Sequence, residues 1–502
     1  MHLTDLCLDL IEISPGTNPI LVTGLAVNST HVKAGDLFFA IAGSHRDGRD
    51  YIEQAIAAGA VAVITGNTPL TKPLRAVIKD NSVPVMHCDN PRQVMARMAA
   101  RFWPTQPSMV SAITGTNGKT STTEFLRQLW QRATWQAVGV GTLGITGTDM
   151  IKTNGAILNL PSLTTPDSIS LHSTVAPLAE AGVTHLALEA SSHGLGQYRL
   201  DGMEIHLAAF TNLSRDHLDH HANMESYFAA KLRLFTELLS EGGCAAINLD
   251  DPYGKAIINE LKGRAIVVKT FGHTEDADFH IKSITPAGDG LDMHVTYKSQ
   301  SWNIPLALSG TFQAINALTA AVIGYLGGLP LHDSLGALPY LKPAPGRMQT
   351  VHGHPKGARV VVDYAHTPDA LAAALGALRP EATGKLSVLF GCGGNRDPGK
   401  RKLMGQVACQ IADRVIVTDD NPRNEDPAAI RSSILKACDS AVEIVPRDKA
   451  IASALAQLNT GDVLLIAGKG HETGQLIGNE TLPFDDALVA NNQVSVMRET
   501  EQ

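Results

Sequence analysis

The sequence lacks an excess of basic residues: 41 Lys and Arg stand against 49 Asp and Glu, a formal net charge of -8. Nucleic-acid binders normally carry a net basic surface, so this balance argues against that class. It leaves room for anionic small molecules, because a local basic pocket can sit on an acidic protein. Cysteine is sparse and scattered. The six residues Cys7, Cys88, Cys244, Cys392, Cys409 and Cys438 form no Cys-x-x-Cys pair and no metal-finger spacing. Free thiols in a reducing cytoplasm are the simplest reading. No run approaches the roughly 20 apolar residues needed to cross a bilayer, which excludes membrane insertion by a helix. The opening MHLTDLCLDLIEIS is acidic where a secretory or transit peptide is basic. Internal repeats and low-complexity segments are also missing.

What remains is an ordinary globular mixture, 44% hydrophobic and 18% charged, in a chain of 502 residues. That length is too great for one core and calls for about three or four domains. Three textures follow one another. Residues 1–103 hold short apolar runs (GDLFFAIAG, AVAVITG) and helical patterns such as YIEQAIAAGA, ending in RQVMARMAARFW before Pro104. Residues 104–338 open with the strand pattern MVSAIT (109–114), a glycine-rich turn and a helix from Lys119, then continue through THLALEA and HLAAFTNLS. The proline-rich PYLKPAPGR reads as a linker. Residues 339–502 repeat one theme: ARVVVDYAH, LSVLFGCGG, DRVIVTDDN and DVLLIAGKG each run from a strand into polar or glycine-rich residues. Strand and helix alternating in this way predict an α/β fold whose C-terminal part is a Rossmann-like, doubly wound, mostly parallel sheet, with ligands at the carboxyl ends of its strands.

Ile113-Thr114-Gly115-Thr116-Asn117-Gly118-Lys119-Thr120-Ser121 is the strongest local signal. Its glycines let backbone N–H groups turn onto phosphate oxygens, Lys119 adds charge, and Thr120 offers a hydroxyl to Mg²⁺. The helix behind it adds a favourable dipole. A glycine-rich turn with no ligand is the bland alternative, and strand, turn and helix in the right order count against it. The general Walker spacing wants glycine at 113, where Ile stands. The shortened form resembles the Mur ligases and their relative folylpolyglutamate synthase, rather than GTPases or transport ATPases.

That resemblance implies an ATP-dependent amide-bond ligase of peptidoglycan synthesis. A substrate carboxylate attacks the γ-phosphate to give an acyl phosphate, and an amine then displaces phosphate. Positioning and charge neutralisation supply most of such catalysis. It implies ATP contacts at Gly115, Thr116, Asn117, Gly118, Lys119, Thr120, Ser121, Asn316, Arg347 and Asp363. Gln313 stands in the Asn316 segment where the family more usually has Asn. It further implies two Mg²⁺, with Thr120, Glu189 and His217 as ligands and Lys231 as a carbamylated lysine. Taken singly, Glu189 and His217 have a structural explanation, and Lys231 is an unremarkable helix lysine. The cluster Asp216-His217-Asp219-His220-His221 also admits a zinc reading, disfavoured because no second ligand group follows at a suitable spacing.

Further segments match the member of the family that adds the third peptide residue. Val27, Ser29, Ser44, His45 and Arg46 fall where its uridine-nucleotide domain binds, although Asn28 and Thr30 replace the usual Asp and Arg. Thr164, Thr165, Ser191, Gln197 and Arg199 match positions that hold the muramoyl dipeptide, and an Arg fork suits its D-Glu carboxylate. Asp420-Asn421-Pro422-Arg423 is the tetrapeptide that, in this family, marks selection of meso-diaminopimelate. Diaminopimelate differs from lysine by one carboxylate, which a guanidinium recognises and a point charge does not. Arg396, Gly468 and Glu472 match the other amino-acid contacts. The same four letters recur as Asp89-Asn90-Pro91-Arg92, where Asn-Pro initiates a turn before a helix. The implied substrates are therefore ATP, UDP-N-acetylmuramoyl-L-alanyl-D-glutamate and meso-diaminopimelate, used by a cytoplasmic monomer. A lysine-adding ligase and a non-catalytic scaffold relative are the alternatives.

Overall fold

The computed structural model describes residues 1–12, 19–43, 46–150, 163–214, 220–288 and 290–500. They form two compact units, Met1–Thr123 with Trp130–Lys269 and Leu326–Gly328, and Glu124–Leu129 with Thr270–Tyr325 and Leu329–Gln502. The six cysteines are free thiols, and no helix among the described residues is long and apolar enough to cross a membrane.

The first unit opens with a parallel sheet of β1 (Gly24–Ala26), β2 (Asp36–Ala40), β3 (Ala62–Gly66) and β4 (Val85–Cys88), paired in that order. Side chains alternate across a strand, and here both faces are covered. Leu37, Phe39 and Ile64 pack with Val94 and Met98 of the helix Pro91–Phe102. Phe38, Ala40 and Val63 pack on the other face with Ile52 and Ile56. An unbroken apolar run such as LFFA (37–40) is what such a doubly covered strand requires. The second Asp-Asn-Pro-Arg copy acts as read from sequence: the Asn90 side chain caps this helix by accepting from the Gln93 amide, with Pro91 at the first helical position.

The larger sheet of this unit comprises β5 (Met109–Thr114), β6 (Ala137–Gly141), β7 (Gly144–Thr146), β8 (His185–Glu189), β9 (Ile205–Phe210) and β10 (Leu239–Asn248), in the order β10-β9-β5-β8-β6-β7. All pairings but β6–β7 are parallel. β5 is central, so the loops after β5, β8 and β9 leave the sheet side by side at one carboxyl edge. That is where an open parallel sheet places a ligand.

The second unit also contains strands that the sequence reading did not name. After β11 (Val267–Gly272) come β12 (Phe279–Ala287), β13 (Gly290–Tyr297) and β14 (Gln300–Leu306), an antiparallel meander. Burial alternates along β13, as it does where one face meets the core and the other water. The proline-rich linker is docked: Lys342 and Gln128 exchange two hydrogen bonds of 2.9 Å, and Leu341 and Ala344 are buried.

The rest of the unit matches its sequence reading. β15 (Gln349–Val351), β16 (Arg359–Asp363), β17 (Leu386–Phe390), β18 (Arg414–Val417), β19 (Val442–Glu443) and β20 (Val463–Ala467) take the order β15-β16-β20-β17-β18-β19. Only β15 runs antiparallel. Val361, Val388, Val417 and Leu465 belong to one core layer, Val362, Leu389, Ile416 and Ile466 to the other. A final hairpin pairs β21 (Gly474–Ile477) with β22 (Glu480–Pro483).

His172, in the helix Ser168–Glu180, is buried beside Gly202. Burial pushes its imidazole down to about 4, against a weaker opposing pull from the Asp201 backbone. A depressed base protonates more readily in the unfolded chain, so its contribution is complete above the unfolded value near 6.5 and is lost as pH falls toward 4. Between pH 7 and pH 5 the wild type should therefore lose about 2 kcal/mol more stability than His172→Leu. Denaturant titrations at both pH values measure this, and equal losses would dismiss the histidine as the cause.

Candidate active site

β5 delivers the chain into the phosphate loop. Gly115 and Gly118 hold φ of +155° and +85°, and a Cβ on Gly115 would overlap Thr211 Oγ1 after β9. The loop is fastened to that neighbour. The Thr116 amide donates to the Asn212 carbonyl (2.8 Å), the Asn117 amide to Asn212 Oδ1 (3.0 Å), and Thr211 Oγ1 to the Asn117 carbonyl (2.6 Å). Lys119 begins the 14-residue helix Lys119–Arg132, and its Nζ donates to the carbonyls of Gly115 (2.9 Å) and Thr116 (2.7 Å). Ser121 is buried in the first turn.

Glu189 ends β8 beside this helix, and only 3% of it is exposed. Its carboxylate accepts from Thr120 Oγ1 (3.0 Å), the Thr142 amide (2.8 Å) and Thr142 Oγ1 (3.2 Å). A hydroxyl and a carboxylate in contact at the mouth of a phosphate loop are hard oxygen donors, the type Mg²⁺ prefers, so these two residues fit that ion. Among the described residues no group of three His, Cys, Asp or Glu is placed to hold a metal. His217 lies outside the described residues, as do Ser44 and His45.

Lys231 comes to the same place from the helix Met224–Arg233. It is 1% exposed, its Nζ donates to the Gly115 carbonyl (2.8 Å), and it lies over the Tyr227 ring at 4.7 Å. Tyr227 in turn pairs its hydroxyl with Thr116 Oγ1 at 3.0 Å. Lys119 and Lys231 thus share one carbonyl oxygen.

The candidate dipeptide residues are joined to one another through Glu189. Thr165 Oγ1 donates to the Glu189 carbonyl (2.8 Å) and meets Ser191 Oγ (3.0 Å), while the Thr142 and Thr164 hydroxyls lie 3.1 Å apart. Arg199 donates to the Thr165 carbonyl (2.7 Å) and to Gln197 Oε1 (2.8 Å). Near β1, Val27 is exposed and Ser29 Oγ donates to Gln54 Oε1 (2.9 Å). Asn28 and Thr30 replace a charged pair with a local turn: Asn28 Oδ1 accepts from the Thr30 amide (3.1 Å) and hydroxyl (2.9 Å). Arg46 reaches the Tyr51 hydroxyl at 3.4 Å.

In the second unit, Asn316 Nδ2 donates to Gln313 Oε1 (3.0 Å) and Gln313 Nε2 to the Arg347 carbonyl (3.0 Å). The Gln that departs from the family pattern is therefore the bridge between them. The Arg347 guanidinium stacks on the Tyr364 ring at 4.5 Å, and Asp363 accepts from the amides of Met348 and Ala365 (2.8 Å each). Burial pushes the Asp363 carboxyl up, opposed by Arg347 and by those amides.

The candidate amino-acid residues collect at the carboxyl ends of β17, β18 and β20. Asn421 Nδ2 donates to Glu472 Oε2 at 2.7 Å. Asp420 approaches Gly468, whose φ of +111° suits glycine and whose added Cβ would lie 3.0 Å from Asp420 Oδ2. Arg423, itself at φ +51°, exchanges backbone bonds with Leu476 and Gly478 and donates from Nη1 to the Gly394 carbonyl (2.9 Å). A Cβ on Gly394 would overlap the Pro422 carbonyl, so that segment needs glycine too. Arg396, on the same loop, is exposed.

Sequence reasoning missed three members. Lys469 is wholly buried and donates to Asn421 Oδ1 (3.1 Å), Glu472 Oε2 (3.2 Å) and the Gly474 carbonyl (2.7 Å). Its signal was a lysine between two glycines directly after an apolar strand. Thr142 and Tyr227 had no signal, since each acts through partners distant in sequence.

Three family models match in order along the chain. The Mur ligase family catalytic domain matches 21–103, the Mur ligase middle domain 113–324, and the Mur ligase glutamate ligase domain 346–470. A UDP-N-acetylmuramoyl-L-alanyl-D-glutamate–2,6-diaminopimelate ligase of Bradyrhizobium diazoefficiens is 45% identical over 489 residues, 97% of either chain. The enzyme of the same name from Chelativorans is 44% identical over 467 residues, 93% of each. A solved structure bearing that enzyme name superposes with a TM-score of 0.70 at 32% identity, covering 99% of both chains. Those matches and the arrangement of phosphate loop, buried carboxylate and paired loops lead to one conclusion: the chain belongs to the Mur ligase family.

Proposed function

We propose that this protein is an ATP-dependent ligase that joins meso-2,6-diaminopimelate to the D-Glu γ-carboxyl of UDP-N-acetylmuramoyl-L-alanyl-D-glutamate, in peptidoglycan synthesis. The observation that carries the reading is the 2.7 Å hydrogen bond from Asn421 to Glu472, which sets a carboxylate beside the loop of Arg423. Diaminopimelate ends in a carbon bearing both a carboxylate and an ammonium. Arg423 suits the first and Glu472 the second, whereas lysine would leave the guanidinium unpaired. Glu472 Oε2 is taken by Asn421 and Lys469, while Oε1 receives no hydrogen bond from the described residues.

The chemistry follows from charge. The γ-carboxylate attacks the γ-phosphorus of ATP, ADP leaves, and the amine attacks the acyl carbon of the resulting acyl phosphate with loss of phosphate. The Gly118 amide, the start of the helix behind it and the Lys119 ammonium orient the phosphates, while the Thr116 and Asn117 amides hold the loop to Asn212. Mg²⁺ bound at Thr120 and Glu189, and with His217, would draw negative charge off the transferred group. Arg199, Ser191 and Thr165 hold the acceptor peptide, and Asn316, Arg347 and Asp363 the nucleotide. Lys231 is the carbamate site: its uncharged amine adds CO₂, losing a proton, to give an anion. That exchange would remove the repulsion of two ammonium groups on the Gly115 carbonyl, and Lys231 as a carbamate would offer an oxygen ligand to a second Mg²⁺. The protein works as a cytoplasmic monomer with functional modules 1–103, 104–338 and 339–502.

Phosphate release from ATP should need both the muramoyl dipeptide nucleotide and meso-diaminopimelate. Equal release with lysine would refute the specificity, and none with any amine would leave a scaffold role. Arg423→Lys should lower kcat/KM for diaminopimelate on the order of tenfold or more while leaving the Michaelis constant for ATP near wild type. An unchanged preference over lysine would remove Arg423 from selection. Lys231→Ala should be inactive and regain part of its turnover with added short carboxylic acids. Normal turnover without them would show that no carbamate is needed.

A further inference from the structure

Arg447 is the largest buried cation outside the residues already discussed. It opens the helix Arg447–Ala456, and its side chain and that of Asp486 are both 0% exposed. Nε and Nη2 donate to the two oxygens of Asp486 at 2.7 Å each, a bidentate pair that neutralises the charge. Two further N–H groups go elsewhere. Nη1 donates to the Asp419 carbonyl at 3.1 Å and Nη2 to the Ala467 carbonyl at 2.9 Å.

Those two carbonyls are special by position. Asp419 directly precedes Asp420-Asn421-Pro422-Arg423, and Ala467 ends β20 directly before the loop Gly468–Glu472. The loops follow β18 and β20, which do not touch: β17 lies between them. No direct ladder joins β18 to β20; beyond the strand ends the loops meet through the Asn421–Glu472, Lys469–Asn421 and Arg423–Leu476 bonds, and at the strand ends themselves one planar guanidinium bonds both backbones. An ion pair serving stability alone needs only the carboxylate, and apolar side chains of similar size serve that purpose as well. The fixed fork geometry of arginine is what the two main-chain bonds use.

We infer that Arg447 is a positioning residue for amino-acid selection, holding the loop of Arg423 and the loop of Glu472 at the spacing that a two-headed amino acid must match. It touches no substrate; it acts through the two backbones. The inference rests on the reading that these loops receive diaminopimelate.

Two variants of the full-length protein test it. Arg447→Met with Asp486→Leu removes both buried charges and both carbonyl tethers while filling the space. Arg447→Lys keeps a charge against Asp486 but loses the fork. Thermal melting and the Michaelis constants for meso-diaminopimelate, ATP and the muramoyl dipeptide nucleotide are measured for each. In the double variant, melting cooperatively, the constant for diaminopimelate should rise about tenfold or more, since loop misplacement of an ångström has effects of that order. The other two constants should stay near wild type, and the preference for diaminopimelate over lysine should narrow. Arg447→Lys should show the same pattern more weakly, and it carries the test alone if the double variant does not fold. An unchanged diaminopimelate constant in a folded variant, or an equal rise in all three constants, would overturn the inference. Should the wild type prefer another amine, the substrate reading fails first, and the same comparison made with that amine still decides the role of Arg447.

Discussion

A single buried carboxylate organises the phosphate end of this protein. Removing an ionised group from water costs several kcal/mol unless donors replace the lost hydration, and Glu189 has Thr120 and both polar groups of Thr142 for that purpose. The same residue's carbonyl takes the Thr165 hydroxyl. One position therefore fixes the start of the Lys119–Arg132 helix, the turn after β6 and the segment carrying Ser191 and Arg199. Gly141 is part of the arrangement, because a Cβ there would overlap the Glu189 carboxylate. A strand end whose carboxylate is held by three such donors has little freedom to move.

The other unit solves a similar problem with backbone. Its strands end in close-set turns where glycine is the only residue that fits: Gly391 beside Thr418, Gly394 beside Pro422, Gly468 beside Asp420. Close approach lets main-chain groups of one loop touch side chains of the next, and Lys469 and Asn421 finish the connection to Glu472. Precision comes from several short contacts between rigid strand ends, the arrangement in which a binding site holds its geometry best.

Most of this was readable in the sequence where a physical pattern is local. β5 runs from Met109 to Thr114 and the next helix starts at Lys119, as read, because an apolar run, glycines and a helix start follow one another directly. The four C-terminal strands were equally plain, each apolar and ending in glycine or polar residues. The antiparallel strands β12–β14 were missed although β13 alternates in burial, because charged and polar residues such as Asp292, His294 and Thr296 dilute the run. Lys231 needed the family resemblance: nothing in the helix around it separates it from a surface lysine, and its burial follows from a contact with Gly115, 116 positions away. Arg447 escaped for the same reason, since its acceptors lie on distant segments, whereas Lys469 was marked by the glycines on either side of it.

Lys119 and Lys231 reach the Gly115 carbonyl from two different helices, and Lys119 also bonds the Thr116 carbonyl. The turn between β5 and its helix is thereby braced by side chains of its own unit, so replacing either lysine with an apolar residue removes a structural tie along with a charge.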